Sequence, residues 1–451
     1  MKTYFKDTNF DFDKLKFTVL GNIIYIDAYF IPEDEVCPIC GSKHLYKNGH
    51  TIKTIKHCTY YTSLFVVKCH IQNYKCKDCN HIFREKNTFS NDNEQLSKET
   101  IFVILDKLKY YTATFESVAR DLHLTRHNII NIFDRYVEYI PSSSLPEIMC
   151  WDEKHINKGL SDNAYSFVIL DWKNIKIYDM IQSRHKKSLE KYFEKFSLEE
   201  RLKVKYIIID MWESYRDVAK RYFKNAKIAI DSFHVMEHIN KAMNKIRIKV
   251  MQKFNLNTEQ IEDNDPYYYV LKKYRYILLQ LFDDVKDFNK YNKKLKMWLN
   301  KYNLRKYMLD IDEELKLAYE LAEEYREFNR VANEENSKEL LEELIEKFYN
   351  SKLEPFIEVA KTLSTWKEYI LNSFITIKDC LDDNGKTRRL SNGPIEGINS
   401  MIEKINVNGN GYTNFERFKN RCIYVINKDY IIRGTPKKSK QYNKNKDKQN
   451  K

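Results

Sequence analysis

The chain has 451 residues, with 77 lysines and arginines against 64 aspartates and glutamates, for a formal net charge of +13. Such a length suggests about two to four domains, and 43% hydrophobic with 14% aromatic residues is enough to bury a core, which excludes wholesale disorder. No run approaches the ~18 uninterrupted apolar residues of a membrane span, and Met1 to Phe10 has no signal-peptide core, so a soluble cytoplasmic protein with no membrane partner is expected.

Residues 1–34 form an N-terminal segment without a clear signature. From 35 to 90 the chain holds six of its nine cysteines among β-rich stretches. Cys37-Pro-Ile-Cys40 and Cys76-Lys-Asp-Cys79 are two CxxC pairs, each able to set two thiolates on one tight knuckle, and four sulfurs in a tetrahedron are what structural Zn²⁺ takes. A strand hairpin across 51–73 would bring the two knuckles together. Gly41, just after the first pair, can take the positive φ that such a turn needs. Cys58, Cys69, His44, His57, His70 and His81 could each stand in for one of those thiolates, and otherwise read as ordinary residues of the same small domain. Cys150, Cys380 and Cys422 are read as isolated packed thiols.

Between 95 and 140 the apolar spacing becomes helical, through Ile101, Ile104, Leu105 and Leu108, then Val118, Ala119 and Leu122, then Ile129, Phe133 and Val137. Thr114–Leu122, a short turn and Thr125–Tyr136 have the proportions of a helix-turn-helix, with Thr125 able to cap the second helix. Arg126, His127, Asn128 and Asn131 would lie on its exposed start, where side chains reach base edges. A plain three-helix bundle gives the same periodicity.

A linker of prolines and serines follows, and 147–235 alternates strand-like and helix-like runs. Strands are expected at Ile148–Trp151, Ser166–Asp171, Ile175–Met180, Val204–Asp210 and Ala226–Asp231, and helices at His185–Phe196 and Glu213–Phe223, a mixed-sheet α/β pattern. Residues 236–380 turn to Glu, Lys, Leu and Tyr with helical periodicity and read as a mainly helical insertion. The α/β pattern resumes over 381–434, with a helix near Gly393–Lys404. The last segment, 435–451, carries seven lysines and one acid and is expected to be disordered. A tail of that kind adds sequence-independent contacts to phosphates.

Acidic residues gather at expected strand ends: Asp152, Glu153, Asp171, Asp210 and Asp231, with Glu396 on the late helix. Clustered carboxylates repel unless a cation sits among them, and Mg²⁺ (or Mn²⁺) is the hard, oxygen-seeking ion that suits them. Two such ions serve phosphodiester chemistry. Residue chemistry alone does not choose among these acids.

As an ordered set, these blocks resemble the DDE transposases of bacterial insertion sequences, specifically the ISL-three family. The matching stretches are Cys37-Pro-Ile-Cys40-Gly41, Tyr74-Lys-Cys76-Lys-Asp-Cys79, Trp151-Asp152-Glu153, Lys158-Gly159, Asp210-Met211-Trp212, Asp231-Ser-Phe-His234 and Ser391-Asn392-Gly393 through Asn399. The resemblance implies a multidomain α+β protein: a zinc-binding domain, a helix-turn-helix, then an RNase H-like α/β catalytic domain with a large helical insertion. It implies Asp152, Asp210 and Glu396 as the catalytic, Mg²⁺-binding triad and sets Asp231 outside it. The implied partners are double-stranded DNA, as terminal inverted repeats and target, and further copies of the chain, as a homodimer or higher assembly. Competing readings are a non-catalytic DNA-binding derivative and an RNase H-like nuclease.

Overall fold

The structure, a computed structural model, describes residues 8–428 other than 32, 34, 61–62, 158, 162–163 and 382–384. Lys158 and the expected tail at 435–451 lie outside the described residues. The chain divides into two units, Met1–Ile140 with Ser400–Lys451, and Pro141–Asn399.

In the first unit, β1 (Lys16–Leu20) and β2 (Ile23–Tyr29) make a hairpin, and β3 (Leu45–Tyr60) and β4 (Ser63–Cys76) a longer one. The short β5 (Ile82–Arg84) pairs with the end of β4. The sheet order is β1-β2-β4-β3, with β2 parallel to β4. The expected hairpin is present and longer than 51–73, its pairing continuing to Leu45 opposite Cys76. The two strands of residues 1–34 were not foreseen. All five positions of β1 are exposed, so that edge strand offers no alternation of apolar and polar faces to read.

Three helices follow: α1 (Lys98–Lys107), α2 (Phe115–Asp121) and α3 (Arg126–Tyr136). Each is started by a hydroxyl that accepts a first-turn N–H: Ser97 from Thr100, Thr114 from Ser117 and Thr125 from Asn128. The turn between α2 and α3 lacks glycine, and His123 takes the left-handed conformation there, at φ 54°. Buried His57 ties the sheet to α1 through its Nδ1, 2.8 Å from the hydroxyl of Ser97.

The second unit is built on an antiparallel meander, β6 (Ile148–His155), β7 (Tyr165–Asp171) and β8 (Lys176–Ile181). Helices α4 (Lys186–Phe193) and α5 (Leu198–Lys203) lead to β9 (Tyr206–Ile209), parallel to β6. Helix α6 (Glu213–Tyr222) then leads to β10 (Lys227–Ile230), parallel to β9. The order is β10-β9-β6-β7-β8. Ile207, Ile208 and Ile209 are fully buried, as a strand covered on both faces must be. Trp151 anchors the core, fully buried and stacked on Phe193 at 4.9 Å between centroids. The meander is longer than expected. Asp152 is the fifth residue of the eight-residue β6, not its end, because pairing with β7 continues to His155 opposite Tyr165.

The expected insertion begins with α7 (Ser232–Gln252), followed by α8 (Pro266–Lys273), α9 (Tyr276–Leu279), a small hairpin of β11 (Lys290–Asn292) and β12 (Met297–Leu299), and α10 (Lys301–Leu309). Then come α11 (Glu313–Val331), α12 (Ser337–Asn350) and α13 (Glu354–Asn372). Its residues share one hydrophobic core with the sheet: Leu315, Ala318, Ala322 and Tyr325 of α11 and Leu341, Leu344 and Phe348 of α12 join the cluster that contains Trp151. The β11–β12 hairpin lies within the expected mainly helical insertion.

Strands β13 (Thr376–Leu381) and β14 (Thr387–Arg389) lead into α14 (Gly393–Asn408), and α15 (Phe415–Ile426) ends the described chain. Residues from Ser400 on group with the first unit, where the sequence had placed 381–434 with the catalytic part. The cause is visible in α15. Arg421 is 1% exposed and donates to the carbonyls of Leu108, Tyr110 and Ala113 between α1 and α2, while Tyr424 bonds Leu105 and Arg417 grips Asp134 of α3.

Candidate functional site

The four cysteines of the CxxC pairs converge. Their Sγ atoms all lie within 4.8 Å of one another, with Cys37 3.4 Å from Cys79 and Cys40 3.6 Å from Cys76. Bonds of ~2.3 Å in a tetrahedron put sulfurs ~3.8 Å apart, so this is a ligand set for one structural metal ion of the zinc type. Both knuckles turn the same way: the N–H of Gly41 bonds the carbonyl of Cys37, that of Asn80 bonds Cys76, and both residues have positive φ, 71° and 60°. The sequence pointed to Gly41 and missed Asn80, a residue that tolerates this conformation less often. Desolvation opposes ionisation of Cys37, yet backbone N–H groups of Cys40 and Ile39 bring its thiol down to about 7. Cys58 and Cys69 are buried in the sheet instead, and that burial pushes each thiol up to about 12. His70 bonds Asp27, and His81 stacks near Phe83.

The carboxylates of the second unit are set by strand register. Ile148 pairs with Tyr206 and Cys150 with Ile208; continued along the strands, that register puts Asp152 level with Asp210. On the other side Ile230 pairs with Ile209, which puts Asp231 level with Asp210 as well. The register therefore sets one acid within β6 and one just past the end of each of the adjacent strands β9 and β10 at the same height.

Glu396 reaches this region from the first turn of α14. The start of that helix is fixed by its neighbours. The indole N–H of Trp172 donates to the carbonyl of Ser391 at 3.0 Å, and the carbonyl of Asn392 accepts from the N–H groups of Ile395 and Glu396. Asn392, Glu396 and Asn399, at intervals of four and three residues, share one helix face. Asn399 Nδ2 donates to Asp152 at 2.6 Å and Asn392 Nδ2 to Asp210 at 2.9 Å, with Glu396 between them in sequence. His234 Nε2 lies 2.8 Å from the same oxygen of Asp210.

These contacts leave a strained set of charges. Burial, then the charge of Asp210, raises Asp152 from 3.8 to about 7. Burial, then Asp231, raises Glu396, and burial raises Asp231. The hydrogen bond with Asp210 raises His234. Among the described residues only the four cysteines form a metal-ligating group drawn within 4.8 Å, so Asp152, Asp210 and Glu396 face one region without closing that far. A cation among them would relieve the repulsion. The Oδ1 atoms of Asn392 and Asn399 are buried there with no hydrogen-bond partner, so the polar lining also suits a hydrated hard ion.

Two of the five acids first expected at strand ends are occupied elsewhere. Glu153 is held by Arg184 and by the Tyr215 hydroxyl at 2.9 Å, and Asp171 bonds the N–H and side-chain amide of Asn174 in a turn. The asparagine pair was missed in the sequence. Its signal was the spacing Asn392-x₃-Glu396-x₂-Asn399, which becomes meaningful once α14 lies against the strand ends.

Of the suggested base-reading residues, Arg126, His127 and Asn131 are exposed on α3 and Asn128 is half-buried, bonded through Oδ1 to the Thr125 hydroxyl at 2.6 Å. Ile129, Ile132 and Phe133 point the other way into the helical core.

A mixed α/β unit with an acidic sheet edge is thus preceded in the chain by a cysteine cluster able to hold a metal ion and by three capped helices. The family model described as a transposase, of the DDE and ISL3 type, matches residues 149–422, and the chain belongs to that family. No curated protein matches the chain. Membership implies DNA as the partner in general terms. No helix among the described residues is long and apolar enough to cross a membrane.

Proposed function

We propose that this protein is an active transposase that binds the terminal inverted repeats of an insertion sequence and cuts and joins DNA strands at Asp152, Asp210 and Glu396. The observation that carries the reading is the register that sets Asp152, within β6, level with Asp210, just past the end of the parallel β9, with Glu396 on the helix whose flanking asparagines bond both. The strand order β10-β9-β6-β7-β8, a meander extended by two parallel strands, supports an RNase H-like reading of the catalytic unit.

Asp152, Asp210 and Glu396 would hold Mg²⁺, or Mn²⁺, which when bound lowers the pKa of an attacking water or 3′-hydroxyl and neutralises charge on the leaving oxygen. The protein's own contribution is orientation. Asn399 and Asn392 fix one carboxylate each, and Trp172 holds the loop that launches the Glu396 helix. Arg184 keeps Glu153 out of the acidic set. The cysteine cluster would hold Zn²⁺ as a structural ion. The α2–α3 pair would read sequence through Arg126, His127, Asn128 and Asn131, with the tail at 435–451 adding phosphate contacts. Two DNA ends must be held together, so a dimer or higher assembly would act.

The test is a cleavage assay on a fragment carrying the element's ends, with binding followed by gel shift. Asp152→Ala, Asp210→Ala and Glu396→Ala should each abolish metal-dependent cleavage and leave end binding nearly unchanged. Cleavage that survives one of these changes removes that residue from the triad.

A further inference from the structure

The β11–β12 hairpin lies in the insertion and takes no part in the acidic site. Its sequence, from Lys290 to Leu299, carries four lysines (Lys290, Lys293, Lys294 and Lys296) and no acid. None of the four has an ion-pair partner among the described residues. Tyr291 and Trp298 pair directly across the two strands, their rings edge to face at 5.7 Å, and remain 46% and 62% exposed. Tryptophan is ordinarily well buried, so a tryptophan and a tyrosine held side by side in water call for an explanation.

The exposure is built in. Asn292, 7% exposed, faces the other way: its Nδ2 donates to the hydroxyls of Tyr269 at 3.2 Å and Tyr274 at 2.9 Å, and its Oδ1 accepts the N–H groups of Lys294 and Leu295. One side chain thus pins the turn to α8 and to Tyr274 immediately after it, and fixes which face of the hairpin looks outward. Beside the hairpin is a hollow of about 800 Å³ lined by Lys273, Lys286, Lys290, Lys293 and Lys294 and several tyrosines, with Asp284 and Asp287 as its acids. That is ample room for a nucleotide, given that small-molecule sites run to ~300–1,000 Å³.

Lysines without acidic partners favour a polyanion, and rigid exposed aromatic faces favour planar rings. DNA with bases out of the helical stack offers both. We propose that the β11–β12 hairpin is a separate DNA-contacting element, its lysines set on phosphates and Tyr291 and Trp298 stacked on unpaired bases. This rests on the reading of the protein as a DNA-processing enzyme, and it names a substrate feature, unstacked nucleotides, that the acidic site does not specify.

The test uses the full chain without added Mg²⁺, so that binding is read without cleavage, on three labelled DNAs: a blunt duplex, the same duplex with unpaired terminal bases, and a single strand. The quadruple change K290Q/K293Q/K294Q/K296Q should weaken binding to all three and flatten the log–log salt dependence by ~3 in slope. Trp298→Ala should weaken binding to the two DNAs with unpaired bases by ~tenfold or more and leave the blunt duplex within about twofold, with Trp298→Phe retaining most of the affinity. An unchanged salt slope, or an equal loss on blunt and unpaired DNA, overturns the inference. So does a change in oligomeric state with DNA binding intact, which would make the face a contact between copies of the chain. Should the quadruple change disturb folding, the pair K293Q/K296Q at the turn, with half the expected change in slope, decides the same point. Wild-type chain that binds none of these DNAs refutes the broader reading, whereas wild-type binding unaffected by the hairpin changes refutes this inference alone.

Discussion

Asp152→Asn should make the metal-free protein more stable at pH 8 while destroying its proposed activity. The raised carboxyl, at about 7 against 3.8 for an ordinary aspartate, means that the folded state keeps a proton which the unfolded chain gives up between those values. Stability contributed by this group is therefore fully present below pH 3.8, falls as pH rises, and is lost above about 7. At ~1.4 kcal/mol per pH unit the interval bounds the effect at ~4 kcal/mol, and because Asp152 keeps part of its surface in water the expected gain is ~1–2 kcal/mol. Asparagine keeps the size and removes the charge. It also finds a partner, since the Asn399 amide can turn its unpaired Oδ1 toward a new Nδ2 at position 152. Thermal or urea unfolding at pH 8 and pH 5, without divalent metal, reads the difference: the variant should exceed wild type at pH 8, and by less than half as much at pH 5. Equal stability at both pH values would refute the claim that Asp152 is held at a cost, and an equal gain at both would show that charge is not the cause.

Cys76→Ser should drop the metal content from one ion per chain to near zero and loosen the two knuckles. The β3–β4 core around Ile55 and Val67 should persist; metal release and circular dichroism read the two effects. Arg421→Met removes three hydrogen bonds from a buried guanidinium to the carbonyls of Leu108, Tyr110 and Ala113 and should cost ~3 kcal/mol in the unfolding of the first unit, measured in urea; a loss under ~1 kcal/mol would mean that α15 is held by its apolar face alone. Arg126→Ala or Asn131→Ala should reduce the preference for end DNA over scrambled DNA by ~1–3 kcal/mol in competition binding while leaving the cysteine cluster loaded.

Periodicity and spacing were enough for much of this protein. The CxxC pairs, the three short helices, the five strands of the second unit and the helical insertion all follow from local pattern, because thiol spacing, hydroxyl caps and Ile-rich buried strands act within a few residues. Acid chemistry named the sheet edge but left Asp152, Glu153, Asp171, Asp210 and Asp231 equivalent. Strand register and side-chain partners distinguish them: Asp152, Asp210 and Asp231 stand level, Glu153 is neutralised by Arg184, and Asp171 closes a turn. Neither property exists until strands distant in sequence pair. The same holds for Asn392 and Asn399, whose amides acquire a role only against carboxylates 182 and 247 residues away, and for α15, whose Arg421 reaches back to Leu108 across 313 residues. Short-range forces write the elements into the sequence. Long-range contacts, whose energy depends on partners that only folding brings together, determine which acids share a site and which unit each helix joins.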